Sequence, residues 1–406
     1  MIYVDNNFKY AALNGTAHNE LHIEVFGYNP DGTNLHIYNR NIVSESMTIE
    51  QAICDESDLK FGGCIASSFE IELSNTPDLT GKYITVWITQ TAEAKLYPGI
   101  QAFPGTDTYP GGMRGRCTFA LFSGEVYSCK SSKNHLTRKL VAYDRFYWRG
   151  SIDCTNWYRN LYSDKVQISL YDLRKAICSK FKLIEEYENT ALPADSLNVK
   201  MIDGNVTVAD LLRMICEFNG VFLFFNGGGN LEYRSLNKDT AATEAYEYYI
   251  DVEREDFVKT AYTGVYFNLS KGGWAWNWGS DNESLYFEED NILITTGYDD
   301  PYLLGTHLGG LGAALKPNFN IEYTPLTLQT QCRLWVQLGD RIKLKVKWYS
   351  LETDSNGNEY SKEHEDELYS YVLSRKISGI QALKDEITAE GEDVRYTEDT
   401  DFTNMY

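Results

Sequence analysis

Apolar and polar residues alternate strictly over "FEIELSN" (69–75) and "YITVWITQ" (83–90). That period of two marks strands with one buried face. "ELHIEVFGYN" (20–29) and "NLHIYNRNIV" (34–43) alternate in the same way, and "GTNL" (32–35) suits the turn between them. "CTFALFSGEVYSCKSS" and "HLTRKLVAYDRFYW" read as a further strand pair, the second running through Trp148. "TIEQAICDESDL" (48–59) reads as a short helix capped by Thr48 or Ser46. Residues 92–116 hold Pro98, Pro104, Pro110 and many glycines, so a long loop is expected there. Residues 1–150 are therefore predicted to form an N-terminal β-lobe.

The period changes after residue 150. "YDLRKAICSKF" (171–181) is amphipathic at helical spacing, as is "TVADLLRMICE" (207–217), where Leu211, Leu212, Ile215 and Phe218 share a face. Thr207 can cap that helix, with Asp210 three residues on closing a capping box. Asn219 and Gly220 both tolerate the left-handed conformation that ends a helix. Val221–Phe225 then reads as a strand, Leu231–Leu236 as a second, and "NGGG" (226–229) lies between. A phosphate-binding loop has its glycines after a strand and opening a helix. Here a strand follows, and the Lys-Ser/Thr signature is absent. The glycines are read as a hairpin turn, supplying positive φ angles, with Gly228 among the positions expected to need them.

Residues 151–240 thus form a small α+β unit with a helix and hairpin. Residues 241–320 are a mixed middle segment, with a strand in "AYTGVYFNLS" and a helix in "GYDDPYLLGTHLGGLGAAL" capped by Asp300 with Pro301 at its first position. Residues 321–390 return to strands, in "CRLWVQLGDRIKLKVKWYS" and "LYSYVLSRKISGIQALKDEITAEG", and form a C-terminal β-lobe. Residues 391–406 read as an acidic arm, ordered by a neighbour through Tyr396, Phe402, Met405 and Tyr406.

Composition narrows the function. At 406 residues the chain is too long for one ordinary core. The 43% hydrophobic content rules out wholesale disorder, and 30 tyrosines with 8 tryptophans suit a β-rich protein with large buried or interfacial surfaces. The net charge of −21 argues against sequence-specific nucleic-acid binding and against anionic membrane. It would suit a wall that DNA slides past without being held. The 8 cysteines show no C-x-x-C and no zinc spacing, and read as buried reduced thiols. "MIYVDNNFKY" has neither a basic start nor an apolar core, so no secretory signal is expected, and no apolar run suggests an integral membrane span.

Candidate chemistry is sparse. "HNELH" spaces His18 and His22 four apart, but on a strand positions 18, 20 and 22 share a face, which is not a metalloprotease helix. "WAWNW" places Trp274, Trp276 and Trp278 on one face of an extended segment. They form either a sugar-binding platform or packing in a core or subunit interface. "KSSKNHLTRKLVAYDRFYWR" is a basic patch, with Lys130, Lys133, Arg138, Lys139, Arg145 and Arg149. Basic residues among aromatics can hold single-stranded nucleic acid; in so acidic a chain a protein interface is the better reading. The carboxylate pairs in "YDD" and "EED" have no nucleophile beside them, and no hydrolase or kinase motif is present. No enzymatic activity and no cofactor are expected.

Four stretches, taken in order, resemble the tail hub proteins of bacteriophages, both the baseplate hub of contractile tails and the N-terminal structural region of siphophage tail-associated proteins. They are "MTIEQAICDESDLKFGGCIASSFEIELSN", "FSGEVYSCKSSKNHLTRKLVAYDRFYW", "VTVADLLRMICEFNGVFLFFNGGGNLEYRSL", and "VQLGDRIKLKV" with "YVLSRKISGIQALKDEITAEGE". The resemblance implies an α+β, β-rich, multidomain fold, with residues 1–150 and 321–390 as two tube-like β-barrel or sandwich lobes around the small α+β unit. It implies a homotrimer at the distal end of a tail tube, forming part of the DNA passage. The implied partners are a distal tail or tail tube protein, the tape measure protein, and a receptor-binding, fibre or spike protein. The implied location is the virion, after assembly in the bacterial cytoplasm. Many siphophage relatives continue into a cell-wall hydrolase or a fibre; such an activity is expected on another chain. A carbohydrate-binding β-protein using the Trp274–Trp278 stretch is the alternative reading.

Overall fold

The structure is a computed structural model. It describes residues 1–391 except 55–58, 95–112, 134, 188–189, 237, 239–241, 260–263, 270–271, 278–283, 288–290, 292, 294–313 and 354–358. For 113, 265–269, 272–277, 284–287 and 359–360 it describes the backbone alone. The Asp300–Pro301 helix and the acidic arm lie outside these residues.

The chain opens with α1 (Asn6–Asn14), whose N-terminus is capped by the Asp5 carboxylate accepting from Asn7 N at 2.8 Å. Strands β1 (Thr16–Val25), β2 (Leu35–Tyr38), β3 (Thr48–Ala52), β4 (Ser68–Ser74), β5 (Tyr83–Ala94), β6 (Met113–Ser131) and β7 (Thr137–Tyr143) follow. After them come α2 (Arg145–Gly150), α3 (Thr155–Leu161), β8 (Gln167–Ser169), α4 (Leu170–Phe181), β9 (Asn198–Lys200) and α5 (Val208–Asn219). The hairpin β10 (Phe222–Phe225) and β11 (Leu231–Arg234) precedes β12 (Thr243–Tyr246) and β13 (Asp251–Arg254). The middle segment supplies β14 (Gly264–Leu269), β15 (Gly272–Asn277) and β16 (Ser284–Phe287). The last strands are β17 (Leu326–Gln331), β18 (Arg341–Thr353), β19 (Glu359–Tyr371), β20 (Ser374–Ser378) and β21 (Lys384–Ala389).

The fold is α+β and β-rich, with antiparallel and parallel ladders: β12 runs parallel to β18, and β14 to β16. The expectation of two tube-like barrel or sandwich lobes is overturned. Eleven strands form one sheet in the order β13-β17-β21-β20-β3-β4-β7-β6-β5-β1-β2, and no sheet among the described residues closes into a barrel or forms a tube. The join is β3 against β20, where Thr48 faces Ser378 and Ala52 faces Ser374. Alternation reports that one face of a strand is buried; it carries no information on which strand lies beside it or whether the ladder closes.

β3 also corrects the helix expected over "TIEQAICDESDL". Thr48–Ala52 pairs with β20 and Thr48–Glu50 also with β4, and Ile49 is fully buried while Glu50 is exposed. Two strong ladder partners outweigh a weak local helix preference. A second correction falls at Asp144. The strand read through Trp148 ends at Tyr143, because the Asp144 carboxylate caps a helical turn instead.

The cap and the glycine stop read around 207–220 form as expected. Thr207 and Asp210 make a reciprocal capping box, and Gly220 ends α5 at φ +62°. The hairpin turn is a packing joint. Gly227 lies so near β6 that an added Cβ would stand 1.9 Å from the Ala120 carbonyl oxygen. The Ser123 hydroxyl donates to the Gly227 carbonyl at 2.9 Å. Within the run only Gly229 has positive φ, +78°, with Tyr83 Oη 2.6 Å from its would-be Cβ. Gly228 needs neither; its nearest neighbour would be Asn226 Oδ1 at 3.3 Å.

Buried polar contacts hold the C-terminal strands together and join them to the N-terminal ones. Arg375 of β20 donates to both oxygens of Asp385 on β21, at 2.6–3.0 Å, and to the Arg333 carbonyl at 2.9 Å. Asn19 of β1 donates to the Ile380 carbonyl at 2.8 Å, and Gln90 of β5 donates to Asn19 at 3.0 Å. Such fully partnered polar groups fix which surfaces meet, since an orphaned one is costly to bury.

Candidate functional site

The basic patch of the sequence becomes a surface where β6, β7 and α2 meet. Register between β6 and β7 shifts from Val126–Ala142 to Ser128–Val141, leaving Tyr127 as the extra residue of a bulge. A bulge turns its residue away from the regular pleat. Tyr127 stands 51% exposed, edge-on to Tyr143 (5.7 Å between centroids) and to Tyr147 (6.1 Å). Tyr143 and Tyr147 stack at 4.2 Å, and Trp148 meets Tyr147 edge-on at 5.1 Å. Four aromatic rings thus form one connected surface cluster.

Asp144 positions half of it. Its side chain is buried and accepts from Ser67 N (2.7 Å), Phe146 N (2.8 Å) and Tyr147 N (3.4 Å). These bonds start α2 directly after β7, which sets Tyr147 and Trp148 beside Tyr143. Burial pushes the Asp144 carboxyl up to about 6, against the opposing pull of those backbone donors.

The six basic residues divide. Arg138 is spent on the carbonyls of Thr76 and Cys129, at 3.1 and 3.3 Å. Lys139 pairs with Glu70 at 2.6 Å. Arg145 lies over the Tyr83 ring, 5.0 Å from its centroid. Lys130, Lys133 and Arg149 stand exposed. The surface therefore combines aromatic rings with the exposed Lys130, Lys133 and Arg149 of the same segments, and Glu125 lies in register with Tyr143, in a chain of net charge −21. Beside Tyr143 runs a groove of about 990 Å³ across β3, β4, β20 and β21. Its floor carries the Lys376–Glu50 pair at 2.8 Å. The density of aromatics in "YDRFYW" was readable from sequence. The bulge and the cap that gather them were not, because both depend on strand register.

The other sequence candidates fall elsewhere. Trp274 and Trp276 occupy alternate positions of β15, in register with Phe267 and Val265 of β14; Trp278 lies outside the described residues. His18 and His22 are both on β1, where His22 Nε2 meets His36 Nδ1 at 2.9 Å and stacks on Tyr38. Burial, together with the neighbouring His36, lowers the His22 pKa. Among the described residues, no group of three or more His, Cys, Asp or Glu side chains could hold a metal ion. Nor is any helix among them long and apolar enough to cross a membrane. None of the 8 cysteines is in a disulfide, and burial pushes Cys154 to about 11 and Cys178 to about 12, which suppresses the thiolate form.

No protein-family model matches the chain, and no curated protein matches it. Among solved structures it is similar to a tail protein from Neisseria meningitidis MC58. That match has 13% identity, covers 91% of this chain and 95% of the other, and has a TM-score of 0.45. It is also similar to the 43 kDa tail protein of prophage MuSo2 from Shewanella oneidensis. There the identity is 10%, the coverage 91% of this chain and 97% of the other, and the TM-score 0.46. Both are likenesses of fold at low identity.

Proposed function

We propose that the chain is a structural protein of a bacteriophage tail, a trimeric hub at the distal end that joins the tail tube to the tip. It works through surfaces and carries no catalytic site. The observation that carries this reading is the open eleven-stranded sheet, whose edge strands among the described residues are β2 and β13. An exposed edge is a template for pairing with another chain. The four stretches that resemble tail hubs support the same reading, as does a surface rich in tyrosine, tryptophan and arginine, the residue types that dominate interface energetics. The −21 charge suits a passage that must not retain DNA. The partners on this reading are a distal tail or tube protein, the tape measure protein and a receptor-binding component. Assembly takes place in the host cytoplasm, and the mature location is the virion.

Deleting the gene from the phage tests this. The expected result is particles with a missing or malformed tail tip, rescued by the intact chain, with three copies per tail in the rescued particle. Fully infective particles that lack the chain would refute the reading.

A further inference from the structure

The aromatic and basic surface has a counterpart on the same molecule. Residues 247–258 run through the edge strand β13 and read "EYYIDVEREDFV". Glu247, Asp251, Glu253, Glu255 and Asp256 are all exposed there. Between them Tyr248 is 81% exposed and Ile250 62%. Exposed apolar side chains bordered by carboxylates are what the exposed Tyr127 and Tyr147 rings, on segments that also carry the exposed Lys130 and Arg149, would pack against. Apolar burial supplies the attraction, and opposite charge sets orientation and approach.

The two surfaces cannot meet within one chain. β13 and β7 are six ladder steps apart in the sheet. At roughly 4.8 Å per step the separation is about 29 Å. Contact between them must be intermolecular. It joins different patches on the two copies, so it is heterologous, and such contacts build rings when the rotation closes.

We propose that the Tyr127–Tyr143–Tyr147–Trp148 surface of one copy receives the acidic 247–258 strip of a second copy. The proposal rests on the reading of the chain as an assembling tail component. It adds the two faces through which copies join and their polarity.

The test uses the full chain with a photo-crosslinking amino acid in place of Tyr127, together with reversal of each charged border. Lys130→Glu with Arg149→Glu should weaken self-association about tenfold, the size of one lost interfacial charge contact. Glu253→Lys with Glu255→Lys should do the same. All four substitutions in one chain should restore association, which misfolding would not. Crosslinks should map to 247–258 of the neighbouring copy. Crosslinks elsewhere, no self-association, or four-fold variants no better than the separate pairs would overturn the proposal. If crosslinks map as expected but particles do not contain the chain, the tail reading fails alone. Where particles contain the chain but crosslinks map elsewhere, the present proposal fails alone.

Discussion

Strand β6 meets two neighbours in opposite ways. At Ala120 and Ser123 it receives the glycine turn of the hairpin, with no room for a Cβ at Gly227 and a hydroxyl bonded to its carbonyl. Further along, at Tyr127, the same strand bulges and holds an aromatic ring in solvent. The first region is closed by the chain's own atoms. The second is gathered by Asp144 and the bulge and then left uncovered. Both are built from several elements; the first docks on the chain's own backbone, while the second packs its rings on one another and leaves Tyr127 and Tyr147 exposed. The second makes physical sense as a surface prepared for another molecule.

The contrast predicts graded effects. Gly227→Val should be the most damaging, at about 3 kcal/mol, because the hairpin must lift from β6 to admit the side chain. Gly228→Ala should cost less than about 1 kcal/mol, since neither φ nor space forbids it. Urea denaturation of both variants checks this, and equal losses would remove the distinction between a docked turn and a merely flexible one.

Asp144→Ala should come next, at about 2 kcal/mol, from loss of a cap and of a buried acceptor. The same residue sets a pH dependence. Its folded pKa of about 6 lies above its ordinary value of 3.8. The folded state therefore holds a proton that the unfolded state releases, and this group's contribution is largest below about pH 4 and is lost as pH rises through 6. Asp144→Asn should flatten that part of the stability profile measured from pH 4 to 7. An unchanged slope would show that the carboxyl titrates normally.

Tyr147→Ala should also have a small effect on stability, within about 1 kcal/mol, as for other exposed positions. It should nonetheless weaken association, which sedimentation velocity reads. A large loss of stability in the isolated chain would recast the cluster as core.

How far the sequence spoke for these regions follows from range. The α5 cap, its glycine stop and the hairpin were legible because Thr207, Asp210, Gly220 and the two short strands interact over a few residues. The turn was legible as a turn, but the critical positions were not: Gly227 is dictated by Ala120, more than a hundred residues away. Strand β3 was misread as helix because its partners, β4 and β20, decide its state, and β20 lies at the other end of the chain. The basic aromatic segment was legible as a candidate interface; its bulge and its cap became apparent with the register.

Hydrogen exchange on the isolated chain and on the assembled tail tests the central claim most directly. The account predicts new protection on assembly over residues 127–149 and 247–258, with residues 222–234 of the docked hairpin equally protected in both states. Unchanged exchange at both exposed surfaces in the assembled tail would contradict it.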